Sequence, residues 1–274
     1  VLEGASDVTV KGGAGNDTFH FGTTFTNNDT INGGAGADTV TLNQGAFARS
    51  LNATNIEALQ ITAGVASAAS VEIGTTTGIS SISLFASAAA SDIGVSGIQS
   101  GATINLVNDN LDQVSLAYRS GASTTTLKIG TATGSVAVSG VAITKVSDVV
   151  FSDVAGSAGT TFAYGTASLD NNGKSVTIIN NGANALTMAM LSGNAVTALT
   201  VTNHGSGNIT LASALEANTA LHSVSIIADG AGSAGVGTIT VGELGASASA
   251  DLFNSLSVNA SNYSTVTLGA VGFN

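Results

Sequence analysis

Short stretches of alternating apolar and polar residues recur along most of the chain. Each is a triplet with two large apolar residues around one polar or small residue, and this period of two is typical of β-strands. One series comprises Leu59–Ile61, Ile82–Leu84, Ile104–Leu106, Leu127–Ile129, Val149/Val150, Val176–Ile178, Leu199–Val201 and Val224–Ile226. A second series comprises Val71–Ile73, Ile93–Val95, Val114–Leu116, Val136–Val138, Phe162–Tyr164, Leu186–Met188, Ile209–Leu211, Ile239–Val241 and Val266–Leu268.

Both series repeat at about 22 residues, a period typical of solenoid coils. The first four triplets of one series begin at positions 59, 82, 104 and 127, and those of the other begin at 71, 93, 114 and 136. A common period predicts the coils of a parallel β-solenoid, in which each coil buries its apolar residues against its neighbours. A β-sandwich is the alternative, but it gives no reason for alternate strands to share a longer period. The segment from Ser213 to Leu221 is predicted as either a short helix or a wide loop.

Glycine and aspartate follow a different repeat in the first part of the chain. Gly12–His20 and Gly33–Thr41 both fit the nonapeptide G-G-x-G-x-D-x-U-x, where U is a large apolar residue. Degenerate copies surround Asp7 and Asp29, so that aspartates recur at positions 7, 17, 29 and 38. One half-turn of backbone per step would stack their side chains in two files.

These turns are predicted to bind Ca²⁺. Glycine allows positive φ, so that carbonyl oxygens point towards a cation, and aspartate adds a hard anionic oxygen. The candidate ligands are Asp7, Gly13, Gly15, Asp17, Asn28, Asp29, Gly34, Gly36 and Asp38. A glycine-rich hairpin region with solvated aspartates is the alternative, but two full copies with degenerate copies beside them favour calcium.

Further acidic clusters lie outside the nonapeptides. Asp109 with Asp112 is the strongest candidate for another calcium site, followed by Asp148 with Asp153 and by the turn after Asp170. Each places oxygen side chains in a predicted turn, which suits calcium. Asn and Asp also favour turns because they hydrogen-bond their own backbone, so both interpretations stay open.

The charge balance indicates which partners the chain can have. Charged residues are only 8%, and 17 acidic against 6 basic residues give a formal net charge of −11. Such a surface attracts divalent cations and repels nucleic acid and anionic membranes, and no apolar run is long enough to cross a bilayer. We therefore expect no nucleic-acid partner and no membrane insertion. Cysteine is absent, so calcium is the expected staple.

The remaining chemistry-bearing residues are scattered. No two of the three histidines have the spacing of metal ligands, and no G-x-S-x-G motif is present, so we do not expect an enzyme. The isolated basic residues are expected to pair with neighbouring acids or with anions; they are Arg49, Arg119, Lys128, Lys145 and Lys174.

With its nonapeptides the chain resembles the RTX proteins of Gram-negative bacteria, which are exported unfolded by type I secretion and fold outside the cell on meeting calcium. The run from Ile56 to Ile61 resembles the I-E-x-L-x-U strand that follows the RTX block in type I secreted surface-layer proteins, such as those of Caulobacter and Campylobacter. The long Thr/Ser/Ala/Val/Gly repeat without cysteine is similar to them as well. Because Asp7 already lies inside a repeat and no clear secretion signal is found, we expect a fragment of a longer protein.

The predicted fold is all-β, with a calcium-binding RTX β-roll over residues 1–42 and an elongated parallel β-helix of about 22-residue coils over 43–274. The resemblance implies a secreted structural protein that forms a surface layer with copies of itself, and that reaches lipopolysaccharide through regions outside this sequence. A calcium-dependent RTX adhesin segment is the main alternative. A β-helix enzyme acting on polysaccharide is less supported because basic residues and tyrosines are scattered, and an ice-binding solenoid is disfavoured because no Thr-x-Thr triplet recurs in successive coils.

Overall fold

The chain folds as a parallel β-solenoid of about nine turns. The computed structural model describes residues 7–45, 48–64, 68–88, 90–107, 111–130, 136–153, 161–215, 218–229, 237–244, 255–261 and 265–271. Within these ranges all regular elements are strands, and the strand pairs are parallel. None of these residues forms a helix of the length and hydropathy needed to cross a membrane.

The strands are short in the first coils and longest in the middle of the chain. The first coils contain β1 (Thr9–Lys11), β2 (Thr18–Phe21), β3 (Thr30–Asn32), β4 (Thr39–Gln44), β5 (Ala48–Ser50) and β6 (Asn52–Thr54). The middle contains β7 (Ala58–Ala63), β8 (Ala69–Glu72), β9 (Ser81–Ala86), β10 (Ser91–Ile98), β11 (Thr103–Leu106), β12 (Leu111–Ile129), β13 (Val136–Asp153) and β14 (Thr161–Leu169). The last coils contain β15 (Ser175–Asn180), β16 (Ala185–Ser192), β17 (Ala198–Asn203), β18 (Ile209–Ala214), β19 (Ser223–Ala228), β20 (Ile239–Leu244), β21 (Ser255–Ala260) and β22 (Val266–Leu268).

Strands of successive coils stack in three rows. Row A contains β2, β4, β7, β9, β11, the second halves of β12 and β13, then β15, β17, β19 and β21. Row B contains β5, β8, β10, the first part of β12, the middle of β13 and the ends of β14, β16, β18 and β20. Row C contains the starts of β13, β14, β16, β18 and β20, and β22. Strands β1, β3 and β6 form a separate sheet in the first coils.

The predicted first series is row A. Leu59, Ile82, Ile104 and Leu127 occupy one position in successive coils, and their side chains are buried. Row A also runs without interruption through β4, which pairs with both β2 and β7. The prediction was wrong by two residues in the next coil, because Leu127 pairs with Phe151 and not with Val149. Both are apolar and buried, so alternation alone could not distinguish them.

The predicted second series combines two different rows. Val114 pairs with Val141 in row B, whereas Val136 pairs with Phe162 in row C. Strand β13 is continuous for 18 residues and passes through all three rows. It therefore contains one alternating triplet in row C and another in row B, and the prediction used only the first of them. Between Ser213 and Leu221, β18 ends at Ala214 and the described residues form no helix, which agrees with the loop alternative.

Two buried asparagines organise the turns that follow row A. Asn180 and Asn203 pair in register and are almost completely buried. The Oδ1 of Asn180 accepts the N–H of Gly182 (3.2 Å), and its Nδ2 donates to the carbonyl of Asn184 (2.9 Å). Asn203 makes the same bonds to the residues two and four positions ahead. Each side chain thereby satisfies backbone groups of its own turn.

Arg119 joins three successive coils at the corner after row B. Its Nε donates to the carbonyl of Gly97 (3.0 Å), and its Nη2 donates to those of Ile73 (3.2 Å) and Thr76 (2.5 Å). Pairing with a neighbouring acid was therefore the wrong expectation for this residue. The corner presents carbonyl oxygens in a cluster, and a half-buried guanidinium can reach several of them at once because its donors lie in a planar fork.

Candidate metal centre

The two nonapeptide turns lie one above the other in adjacent coils. The N–H of Ala35 donates to the carbonyl of Gly13 (3.0 Å), and the N–H of Gly15 donates to the carbonyl of Ala35 (2.6 Å). Gly36 has a φ of +142°, and a Cβ there would overlap the carbonyl oxygen of Gly15. Glycine is thus required at 36 both by the backbone conformation and by the close approach of the turns.

The glycines predicted as carbonyl ligands do not have equal roles. Gly15, Gly34 and Gly36 have the predicted positive φ, whereas Gly13 does not and has open space where a Cβ would lie. Gly33 makes the close approach that the prediction missed, because a Cβ at this position would overlap Oδ2 of Asp38. The first glycine of the nonapeptide therefore lets the carboxylate lie directly against the turn.

Asp17, Asp38 and Glu57 form one file of carboxylates along the first coils. The N–H of Asp17 donates to Oδ1 of Asp38 (2.7 Å), and the N–H of Asp38 donates to Oε2 of Glu57 (2.7 Å). The Oδ2 of Asp17 also accepts the N–H of Gly13 within its own turn (2.9 Å). Asp38 and Glu57 thus each fix the backbone of the coil before them, and the file crosses the first three coils.

The environment of Asp38 fits a bound calcium ion. Its side chain is 0% exposed, and among the described residues its Oδ2 has no hydrogen-bond donor. A buried carboxylate oxygen without a partner is costly, and a cation removes that cost. Calcium binds carboxylate and carbonyl oxygens together, so Asp17, Asp38 and the carbonyls of the glycine turns would hold it. In the described part of the chain no three His, Cys, Asp or Glu side chains gather, so backbone oxygens must supply much of such a site.

Asp7, Asn28 and Asp29 lie together on the other side of the first coils. The carboxylate of Asp7 is exposed and accepts bonds from Thr26 Oγ1 and Asn28 Nδ2, both at 3.1 Å. Asp29 is 2% exposed, and its oxygens accept the N–H groups of Val8 (2.9 Å) and Thr26 (2.7 Å). Asp29 thus already closes its turn through backbone bonds.

The expected second file of aspartates is out of register by one residue. Thr9 pairs with Thr30, so Asp7 lies beside Asn28 and not beside Asp29. Thr18 pairs with Thr39 at the same separation in sequence, so the coil keeps one length on both sides. Asp17 and Asp38 are 21 residues apart, which equals the coil length, whereas Asp7 and Asp29 are 22 residues apart. Only Asp17 and Asp38 stack as predicted.

The candidates outside the nonapeptides are separated from this centre. Asp112 lies in β12 and lines a groove between rows B and C, and its predicted partner Asp109 lies outside the described residues. Asp148 and Asp153 belong to the same strand five positions apart, so their side chains point to opposite faces and cannot share an ion. Asp148 accepts a bond from Ser175 Oγ (2.5 Å), whereas Asp153 is buried.

Asp170 hydrogen-bonds the backbone of its own turn, which was the alternative to calcium binding for the acidic clusters. Its oxygens accept bonds from the backbone N–H of Asn172 (3.0 Å), the Nδ2 of Asn172 (2.8 Å) and the N–H of Lys145 (3.0 Å). Partial burial opposes ionisation, but these bonds outweigh it and lower the pKa of Asp170 below its usual value. The carboxylate is thus engaged within the fold.

The family model of the RTX calcium-binding nonapeptide repeat (4 copies) matches residues 4–23 and 25–46. The chain carries RTX calcium-binding repeats. Both RTX turns and the aspartates at 7, 17, 29 and 38 lie inside the matched ranges, and the stacked geometry is that of the RTX β-roll. Searches of curated proteins and of solved structures gave no match to the chain.

Glu57 is the member of the carboxylate file that the sequence interpretation missed. The run from Ile56 to Ile61 was noted only for its resemblance to a surface-layer motif. In the structure, Ala58 pairs with Thr39 and Thr39 with Thr18, so Glu57 takes the position of an RTX aspartate in the third coil. Asp17, Asp38 and Glu57 each directly precede a row A strand, namely β2, β4 and β7. An acidic residue just before a predicted strand was therefore the signal that could have identified Glu57.

We expect Glu57→Ala to loosen the RTX segment, because the buried N–H of Asp38 loses its acceptor. A buried donor left unsatisfied costs about 1–3 kcal/mol. Hydrogen exchange of the Asp38 amide with and without calcium will measure the loss. Glu57→Gln keeps an acceptor and separates the hydrogen bond from the charge, and Glu72→Ala removes an exposed acid as a control. Unchanged protection of Asp38 in Glu57→Ala would contradict this role.

Proposed function

We propose that this chain is a structural, non-enzymatic component of a bacterial surface layer, in which calcium-stiffened solenoids associate side by side outside the cell. Calcium binding by the RTX repeats is consistent with such surroundings, because RTX proteins are typically secreted to the extracellular space. The observation that carries the proposal is the pattern of outward-facing residues on rows A and C.

One outward-facing position on each row forms an uncharged ladder of small side chains, whereas the other outward position of row A is mixed and includes Lys128. On row A the ladder is Ala58, Ser81, Thr103, Thr126, Val150, Thr177, Thr200, Ser225 and Ser257. On row C it is Ala137, Ala163, Thr187, Thr210, Thr240 and Thr267. Small side chains lose little conformational entropy on contact, and a regular ladder can meet the same ladder of another copy along its length.

The net charge explains why calcium would control such contacts. Copies with a formal charge of −11 repel each other over a Debye length of about 8 Å at physiological salt. Bound calcium lowers this charge and can bridge carboxylates of adjacent copies. Magnesium should substitute poorly because it dehydrates reluctantly and requires stricter octahedral geometry.

We predict that millimolar calcium drives reversible self-association and that magnesium does not. Light scattering during a calcium titration will measure it, and negative-stain images should show sheets only with calcium. The double variant Thr177→Lys/Thr200→Lys places charges in the middle of the row A ladder and should block assembly. Asn194→Lys adds a charge at an exposed turn and should leave assembly intact. A strictly monomeric protein at millimolar calcium and high concentration would contradict the proposal.

A monomeric result would favour a calcium-dependent adhesin segment. One feature supports this second candidate: a groove of about 540 Å³ between rows B and C, with Asp112, Ser139 and Thr187 among its polar lining. The volume lies in the range of about 300–1,000 Å³ typical of ligand sites. Calcium-dependent retention of the monomer on immobilised glycans, lost in Asp112→Ala, would identify that function.

A further inference from the structure

Asp153 occupies the position of a ladder asparagine in the coil before Asn180. Ser152 pairs with Ile179, so Asp153 lies beside Asn180, and Asn180 pairs in turn with Asn203. In the preceding coil the same position is the apolar Ile129. Asp153 is 3% exposed, so one carboxylate stands at the start of a buried polar ladder inside the solenoid.

An aspartate at this position cannot make the bonds of the asparagines that follow. Its Oδ1 accepts the N–H of Asn181 (3.0 Å), but a carboxylate has no donor to replace the amide Nδ2 of Asn180. Among the described residues its Oδ2 has no hydrogen-bond donor and no basic side chain pairs with it. An asparagine would have nearly the same shape and would avoid burying a charge, so the charge itself needs a partner.

The Oδ2 of Asp153 lies against the turn that follows Asn180, in the same part of the core as a second polar group that is unpaired within the described ranges. A Cβ on Gly182 would lie 2.7 Å from Oδ2, so glycine at this position lets the carboxylate pack directly against the turn, and the buried side chain of Asn184 lies beside the same turn. The hydroxyl of Tyr164 is also buried and has no hydrogen-bond partner among the described residues. The ring of Tyr164 packs edge-on against Phe151, with the ring centroids 5.1 Å apart, and Phe151 lies two positions before Asp153 on the same face of β13. Burial, and then the charge of Asp153, raise the pKa of Tyr164.

We infer that Asp153 binds a hard cation in the core of the solenoid, at a site separate from the RTX turns. Calcium and sodium both accept carboxylate and hydroxyl oxygens, which Asp153 and Tyr164 would supply to the ion. The ion neutralises Asp153 and joins its coil to the next one at the point where the asparagine ladder begins. Asp148 takes no part, because its side chain points away from the core.

Terbium luminescence tests the inference directly, because Tb³⁺ replaces calcium and emits when a nearby tyrosine transfers its excitation. The full chain should show tyrosine-sensitised emission. Asp153→Asn should abolish this emission while preserving the fold, since Asn180 and Asn203 already occupy the same ladder position. Tyr164→Phe should abolish the emission without removing the carboxylate, and Tyr118→Phe is the matched control that should retain it. Far-UV circular dichroism checks the fold of each variant.

Competition then identifies the ion. Loss of emission at ~10⁻⁴ to 10⁻³ M calcium, which is the range of Kd values of extracellular calcium modules, supports a calcium site. Loss of emission with sodium alone supports a site for a monovalent ion. Emission that survives Asp153→Asn, or that depends on Tyr118 and not on Tyr164, overturns the inference. Absence of any sensitised emission from the wild-type chain also overturns it and leaves a proton or a water molecule as the partner of Asp153. None of these outcomes depends on whether copies assemble.

Discussion

Replacing both Asp17 and Asp38 by alanine will remove the ordered structure of the first two coils at any calcium concentration. The change deletes the carboxylates of both full RTX turns, and it leaves the N–H of Asp17 without its acceptor. Because each coil of a solenoid contacts only its neighbours, the coils from row A strand β9 onwards should remain folded. Hydrogen exchange resolved by residue will show lost protection before about residue 45 and retained protection from β9 onwards.

Calcium titration of the wild-type chain supplies the complementary result. At a free concentration about 100 times the Kd of one linked site, calcium should raise the free energy of opening the first coils by about 2.7 kcal/mol. The double variant should lose this response, whereas Asp112→Ala, which removes a carboxylate in β12, should keep it. Equal protection of the first coils in chelator and in millimolar calcium would show that these aspartates do not hold the ion.

Arg119→Leu should lower the free energy of unfolding of the downstream solenoid by roughly 3 kcal/mol. The side chain is the common donor to carbonyls of Ile73, Thr76 and Gly97, and each hydrogen bond to a charged group contributes about 1.5–3 kcal/mol before partial exposure reduces it. Denaturant unfolding monitored at constant calcium will measure the change.

Two variants separate the geometry of Arg119 from its charge. Arg119→Lys keeps the charge but presents donors from a single point, so it should recover only part of the stability. Lys128→Leu removes an exposed positive charge in the same strand and should change stability by less than about 0.5 kcal/mol. If Arg119→Lys proves as stable as wild type, the planar fork has no special role at this corner.

Local patterns were sufficient for the RTX turns because every constraint there comes from neighbouring residues. Gly36 needs positive φ, and Asp38 follows it by two residues, so one short motif specifies both the turn and the carboxylate. The alternation of apolar residues likewise predicted row A from Leu59 to Leu127, because burial repeats with the coil. The all-β solenoid and calcium binding by its RTX repeats followed from these two patterns.

Alternation could not assign strands to rows where the coil changed length. Val136 and Val141 both begin apolar triplets, and only the pairing of β12 with β13 shows that Val141 follows Val114. The position of Glu57 in the carboxylate file was hidden for a related reason. Glu57 follows Asp38 by 19 residues, whereas Asp38 follows Asp17 by 21. The longer side chain of Glu57 still reaches the N–H of Asp38, just as Asp38 reaches the N–H of Asp17.

The sequence by itself determined the repeating unit, the strand alternation and the chemistry of the RTX turns, because these depend on residues close together in the chain. Tertiary structure alone decided which coils align, and therefore which polar groups are buried together. Asp153 shows the difference: its sequence neighbours suggested a turn shared with Asp148, whereas stacking places it inside the core beside Asn180. Contacts between coils join residues from distant parts of the sequence, and the pairing register of each strand, not the number of residues in the coil, decides which side chains face the core.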